Sequence, residues 1–199
     1  MTADLRSRLT EALARPGRPS SDYDLNPSVS LAPGRKLRPA GVLVAVSLEG
    51  ETPRVILTKR SSALKHHPGQ VAFPGGKVDE GDNGPVCAAL REANEEIGLP
   101  IGAAEVLGTL PPHETVTGFH VTPVVAIISE PFEITPEPGE VAEVFCPPFT
   151  HVTDPTKYTV QGRRWRGVRR QYYTVPWGPY YIWGATARML RALTDQVRA

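Results

Sequence analysis

Gly76 to Leu99 reads GKVDEGDNGPVCAALREANEEIGL, and its second half decides how the chain is read. A period of 3.6 residues puts Glu92, Glu95 and Glu96 at i, i+3 and i+4, within about 100° of one another on one helical face. Three like charges at that spacing repel. A hard divalent cation explains their retention, because carboxylate oxygens are the donors that magnesium prefers. Val86, Leu90, Ala93 and Ile97 fall on the other side, a stripe that packs on a sheet and leaves the acids facing outward. Pro85 suits a first helical turn, with Asn83 or Gly84 as cap, and Gly98 stands where a left-handed C-terminal cap is expected. The bland alternative is a solvated acidic helix. Phe73-Pro74-Gly75-Gly76 before it and Ile97-Gly98-Leu99 after it argue against that.

A length of 199 residues fits one domain with a substantial core. Hydrophobic residues at 40% and charged residues at 22% are normal for a soluble globular protein. A net charge of +1 gives no global field favouring nucleic acid or an acidic membrane, and neither is expected as a partner. Cys87 and Cys146 show no ligand spacing and are read as buried thiols, which fits a reducing compartment. No apolar stretch approaches the roughly 20 residues that span a bilayer. The N-terminus lacks a hydrophobic signal core, so a cytoplasmic enzyme is the default.

Leu5, Leu9 and Leu13 recur at i+4, the pattern of a short amphipathic helix. Its apolar face is narrow and free of aromatics, which suits docking better than membrane anchoring. Arg15 to Pro39 holds five prolines and is expected as an extended linker laid over the surface. Residues 1–39 are therefore taken as helix and Pro-rich linker, and 40–199 as the folded domain. Val42 to Leu48 and Arg54 to Thr58 are apolar runs of strand length, with Glu49-Gly50-Glu51-Thr52-Pro53 as the turn between them. Glu105 to Leu110, Val121 to Ile128, Phe132 to Thr135 and Val141 to Phe145 are further expected strands. Lys157 to Val160 and Gln171 to Val175 suggest a late hairpin. Trp183 to Val197 reads as a closing helix with Met189, Leu190, Leu193 and Val197 turned inward. Strands outnumber helices and the helices are dispersed, which predicts an α/β fold with a mixed sheet covered on two sides.

The opening segment resembles the Nudix box, the signature of hydrolases that cut nucleoside diphosphates linked to another group. Gly76 stands at its opening glycine, and Arg91 to Leu99 match its Arg-Glu-apolar-x-Glu-Glu-x-Gly-apolar close. Asp82 replaces the first glutamate, and eight residues rather than seven separate it from Arg91. The extra residue lies in the loop, and Asp82 is left outside the metal set. The resemblance implies an α/β/α sandwich, with Mg2+ or Mn2+ held by Glu92, Glu95 and Glu96 and the carbonyl of Gly76.

Upstream, Leu57-Thr58-Lys59-Arg60-Ser61, Lys65, Gly69 and Phe73-Pro74-Gly75-Gly76 are similar to the extra signature of the coenzyme A pyrophosphatase branch of that family. Lys65 stands where arginine is usual, which turns a bidentate phosphate contact into a point-charge one. Gly118-Phe119-His120-Val121-Thr122-Pro123 and Ile182-Trp183-Gly184 continue the resemblance. It implies a small-molecule substrate, coenzyme A or its thioesters, cut to adenosine 3′,5′-bisphosphate and a phosphopantetheine derivative. That substrate carries a diphosphate and a separate ribose phosphate, so it needs cations at more than one point. Arg60, Lys65 and the His66-His67 pair are suitable donors, and Gly69, Gly75 and Gly76 permit close backbone approach. Ser61, Gln70 and Phe73 complete the expected substrate-binding set.

Bound metal ions would neutralise charge on phosphoryl oxygens and lower the pKa of a water that attacks phosphorus in line. Glu95 and Glu96 are central to that step. Arg91 is expected to orient the glutamates by salt bridging rather than to touch substrate. As general base, Glu140 is favoured over Glu143 because it sits at the turn before a strand, where a side chain can reach a cleft; Glu114 is a weaker candidate. One rival reading is a broader hydrolase of nucleoside diphosphate derivatives, including dinucleotides and RNA caps. Another is a non-catalytic nucleotide-binding module, which the retained helix glutamates disfavour. Arg163, Arg164, Arg166, Arg169 and Arg170, interrupted by Trp165, are read as exposed faces of a hairpin, with a role in holding substrate phosphate or a partner as the alternative. The N-terminal helix and Pro-rich linker could mediate a homodimer.

Overall fold

The computed structural model describes residues 2–29, 31, 34–165 and 167–199. Helix α1 (Thr2–Ala14) is followed by strands β1 (Ser20–Ser21), β2 (Arg38–Ser47), β3 (Arg54–Val55), β4 (Leu57–Arg60), β5 (Val71–Ala72) and β6 (Gly75–Lys77). Helix α2 (Pro85–Ile97) leads to β7 (Ala104–Thr109), β8 (His113–Glu114), β9 (Phe119–Ile128) and β10 (Val141–Phe145). The chain ends in the single turn α3 (Phe149–Val152), the hairpin β11 (Thr159–Trp165) and β12 (Val168–Thr174), and helix α4 (Gly184–Arg198).

β2 and β9 lie side by side and parallel, in register from Arg38 opposite Phe119 to Ser47 opposite Ile128. Both are near-continuous apolar runs because both of their faces are covered. Leu43 and Ala45 of β2 pack with Ala89, Ala93 and Ile97 of α2. Val44 and Val46 point the other way, into a core shared with Leu5 and Leu9 of α1 and Met189, Leu190 and Leu193 of α4. β3, β6, β7 and β8 add to this pair antiparallel. The result is the expected α/β/α sandwich around a mixed sheet. Gln196 of α4 donates to the carbonyls of Ala12 and Arg15 at 2.8 and 2.7 Å, tying α4 to α1. Among the described residues no helix is long and apolar enough to cross a membrane.

Helix α2 begins and ends where its local signals direct. Gly84 caps it, Pro85 opens it, and Gly98 closes it in the left-handed conformation at φ 71°. Two strand expectations change. Arg54 to Thr58 breaks at Ile56, because β3 stays with β2 while β4 leaves for a second sheet ordered β10-β4-β5. Phe132 to Thr135 is not a strand. Pro131, Pro136 and Pro138 have no N–H to give a ladder, and the donors between them turn to α2 instead. Thr135 N–H bonds to Ile97 O at 3.1 Å and Glu137 N–H to Glu96 O at 2.9 Å. These are carbonyls that a helix end leaves unpaired.

Part of the expected linker is built into the sheet rather than laid over it. β1 pairs in parallel with β8. Ser20 Oγ lies 2.9 Å from Nδ1 of buried His113, and Asp22 Oδ1 lies 3.2 Å from its Nε2. The late hairpin is longer than expected and takes in the arginine cluster. Arg166 and the side chain of Trp165 fall outside the described residues.

Gly41 on β2 fixes how closely α2 can sit. A Cβ there would fall 1.9 Å from the carbonyl oxygen of Pro85. Gly41→Ala is expected to lower the unfolding free energy by about 3 kcal/mol. Gly81, where a Cβ meets nothing within 4 Å, is the control, and Gly81→Ala should stay within about 0.5 kcal/mol of the parent. Urea denaturation measures both.

Candidate active site

Glu96 lies in the last turn of α2 and is 3% exposed. The expectation that all the acids face outward is corrected here, because the 132–140 segment roofs this end of the helix. Gly75 N–H bonds to Glu96 Oε2 at 3.2 Å, and Arg60 Nη1 stands 4.0 Å from Glu96 Oε1. One turn earlier, Glu92 lays its carboxylate against the Gly76 backbone, where a Cβ would fall 2.4 Å from Glu92 Oε1. Glu140 completes the group: carboxylate oxygens of Glu92, Glu96 and Glu140 lie within 4.8 Å of one another. The roof delivers it. Glu137 N–H is fastened to α2, Glu140 N–H bonds back to Glu137 O at 3.0 Å, and Ser61 N–H bonds to Glu140 O at 2.8 Å.

Burial pushes the Glu96 carboxyl up to about 7, against the pull of Gly75 N–H and Arg60, while Glu92 and Glu140 reinforce the rise. Glu92 is also raised, first by burial, with Arg91 opposing. Glu96 and Glu92, both raised by burial, form with Glu140 a crowded, all-oxygen donor set. That set fits a hard divalent ion.

Glu95 is not in the three-carboxylate group. It is exposed and accepts from Arg91 Nη1 at 2.9 Å. Arg91 is the hub of this flank. Its Nε and Nη2 bond to the two oxygens of Asp82 at 3.1 and 3.0 Å, Nη1 stands 3.0 Å from Glu92 Oε1, and Nη2 reaches Lys77 O at 3.3 Å. Arg91, helped by Asp79 N–H, holds the Asp82 carboxyl down at about 2. Asp82 thus anchors Arg91 and stands apart from the clustered donors.

The other loop acids are engaged elsewhere. Glu143 accepts from Lys59 Nζ at 2.6 Å and from the Tyr180 hydroxyl at 3.1 Å, which hold its carboxyl below its ordinary value. Glu114 pairs with Arg35. Of the three acids weighed as base, Glu140 reaches the cluster. The signal in the sequence was the proline spacing before it, which forbids a strand and forces the chain onto α2.

The upstream motif lies beside this group. The Nε of Arg60 is buried without a hydrogen-bond partner. Arg60 N–H bonds to Gln70 O at 2.9 Å and Gly69 N–H to Arg60 O at 3.1 Å, closing the loop between them. The exposed part of that loop presents Lys65 and His66, whose side chains form no hydrogen bond or ion pair among the described residues. Ser61 is buried, and its Oγ accepts from Ala63 N–H at 3.3 Å. Phe73 is 3% exposed and packs in the core beneath α1 and α4. Its ring therefore backs the site instead of facing a ligand, a correction forced by burial.

A sequence profile described as the NUDIX domain matches residues 37–166. "Uncharacterized Nudix hydrolase NudL" from Enterobacter sp. (strain 638) is 41% identical over 160 residues, covering 80% of this chain and 83% of the relative. Its counterpart from Cronobacter sakazakii is 42% identical over 160 residues, with the same coverage of 80% and 83%. A solved Nudix hydrolase from M. smegmatis, RenU, is 29% identical with a TM-score of 0.49, covering 59% of this chain and 74% of that one. The chain belongs to the NUDIX family, hydrolases of the pyrophosphatase class that work with divalent metal ions.

Metal-free protein should show the cost of ionising Glu96. Its folded value of about 7 lies above its ordinary 4.5. The stability it contributes is full below the ordinary value and lost as pH rises through the folded one. Glu96→Gln mimics the neutral acid. With chelator present it is expected to exceed the parent by about 3 kcal/mol at alkaline pH and to match it in acid. Magnesium should reverse the alkaline order, because the ionised carboxylate is the ligand. Chemical denaturation at several pH values, with and without the ion, checks this.

Proposed function

We propose that this NUDIX family member hydrolyses the diphosphate linkage of coenzyme A or acyl-coenzyme A, giving adenosine 3′,5′-bisphosphate and (acyl-)4′-phosphopantetheine. The observation that carries the reading is the convergence of Glu92, Glu96 and Glu140 within 4.8 Å, beside Arg60. Glu92 and Glu96, with the Gly76 backbone, would hold Mg2+ or Mn2+, and Glu95 can join them by leaving Arg91. When bound, the ion offsets charge growing on the phosphoryl oxygens and acidifies a nearby water.

Glu140 stands at the exposed rim of the group, where a carboxylate oxygen can take a proton from water attacking phosphorus. Arg91 acts by position: it clamps Asp82, Glu92 and Glu95 and fixes their orientation. Arg60 offers its unpaired Nε, and Lys65 and His66 offer donors farther along the loop. Donors at two separated points suit a diphosphate with a remote ribose phosphate. Ser61, Gly69, Gln70 and Gly75 supply the backbone that shapes this side. Lys65 favours a second reading, a broader pyrophosphohydrolase for nucleoside diphosphate derivatives, because a point charge discriminates less than a bidentate arginine.

With magnesium present, purified protein is expected to cut coenzyme A with a kcat/KM about 10-fold or more above that for its 3′-dephospho form. Equal values would leave only the broader reading. Glu140→Gln should lower kcat about 100-fold, while Glu143→Gln stays within about 3-fold of the parent because its carboxylate is spent on Lys59 and Tyr180. Chromatography of 4′-phosphopantetheine, the product common to both substrates, reads all three.

A further inference from the structure

Between Asp154 and Asp195 the chain has no acidic side chain and eight Lys or Arg. The other 14 of the 22 cations, and all 21 acids, lie elsewhere or at the borders of this stretch. Arg188 and Arg191 of these eight are answered by Asp24 and Asp195, and the near-neutral total hides a basic strip among the rest.

The strip centres on β11 and β12, which pair with each other as a separate two-stranded ribbon. Their register sets Arg163 opposite Arg170 and Arg164 opposite Arg169. Like charges directly across two strands repel. Arg163, Arg164 and Arg169 are exposed and make no ion pair or hydrogen bond among the described residues. The ribbon is nevertheless firmly seated. Arg170 lies over the Tyr23 ring at 5.9 Å. Asn26 grips both backbone groups of Gln171, at 2.8 and 2.9 Å.

Strand alternation puts Gln161 and Tyr172 on the same face as Arg163 and Arg170, one step toward the base of the ribbon. Tyr172 meets Trp183 edge-on at 5.0 Å, and Trp183 meets Tyr181 at 6.4 Å. The Tyr181 hydroxyl donates to Gln161 Oε1 at 3.1 Å, and Tyr181 is 41% exposed. Arg163 thus leads onto a shelf of aromatic rings, while Arg170 beside it is taken up by Tyr23.

We propose that this ribbon docks single-stranded RNA, its aromatic face holding bases while Arg163 on that face and Arg164 and Arg169 on the other meet phosphates. Guanidinium groups meet phosphates, and unstacked bases lie on tyrosine or tryptophan. Arginines on both faces suit a flexible strand that winds around an edge, whereas a flat lipid surface meets one face at a time. The shelf carries phenol hydroxyls and the Gln161 amide, which can pair with a ribose 2′-hydroxyl that DNA lacks. The assignment is independent of the chemistry at Glu92, Glu96 and Glu140, since no ribbon residue belongs to that group.

Fluorescence anisotropy of the full chain with a labelled oligouridylate of about 12 nucleotides tests it. Binding is expected, with log K falling against log salt at a slope of about −2 for three arginines. The combined variant R163Q/R164Q/R169Q should lose about 10-fold or more and flatten that slope. Tyr181→Ala should weaken binding with the slope unchanged, and Tyr181→Phe should retain most of it. Circular dichroism confirms that the variants are folded. Parent binding equal to that of the triple variant overturns the proposal. So does equal or tighter capture of the matching oligodeoxynucleotide or of anionic vesicles. Protein that binds RNA yet leaves coenzyme A intact would sink the catalytic reading and leave this one standing.

Discussion

A carboxylate kept out of water by its neighbours is the constraint on which the rest of the molecule depends. Glu96 can be buried only because Gly75 offers an N–H, Arg60 offers a charge, and the 132–140 segment covers the turn that carries it. Each of those needs its own support. Gly75 is in place because β6 pairs with β2. Arg60 is in place because β4 leaves the large sheet for the small one. The cover is in place because prolines leave it no strand to join, and the end of α2 has carbonyls to offer. The acidic group is thus the meeting point of two sheets, a helix and a loop, and a hard cation is the natural counterweight to its charge.

How much of this was legible depended on how local each signal was. The bounds of α2 were legible because Gly84, Pro85 and Gly98 act on their own turn. β2 and β9 were legible because strands buried on both faces read as unbroken apolar runs. The split between Glu96 and Glu95 was not. A helical wheel treats both as members of one acidic face, and what separates them is a segment some forty residues on in the chain. Phe132 and Ile134 alternate as a strand would, so periodicity misled where the prolines were the better guide. Phe73, between β5 and β6, belongs to a motif read for ligand contact, yet its ring fills the core. Glu140 was favoured for its position at a turn, and the hydrogen bond from Ser61 to its carbonyl now gives that position a physical reason.

Composition misleads in a different way. A sum of charges near zero says nothing about where they sit. The eight cations between Asp154 and Asp195 face no acid of their own stretch, and the pairing of β11 with β12 stacks four of them into two adjacent rungs. Repulsion of that kind weakens a free-standing ribbon. The segment holding Tyr23 and Asn26 answers it by bracing β12 through the Arg170 side chain and the Gln171 backbone. A stretch that looked like surface linker is therefore what keeps the ribbon in shape.

The bond between α1 and α4 bears on how the protein comes to fold at all. Leu5 and Leu9 find their cover on Leu190 and Leu193, and Gln196 fastens the two helices by their backbones. Helix α1 is therefore covered only once α4, far downstream in the chain, has been made. Until α4 has emerged, strands can pair, but one side of the sheet stays bare and oily. Assembly of that side waits for α4, and until then the nascent chain has reason to need a chaperone.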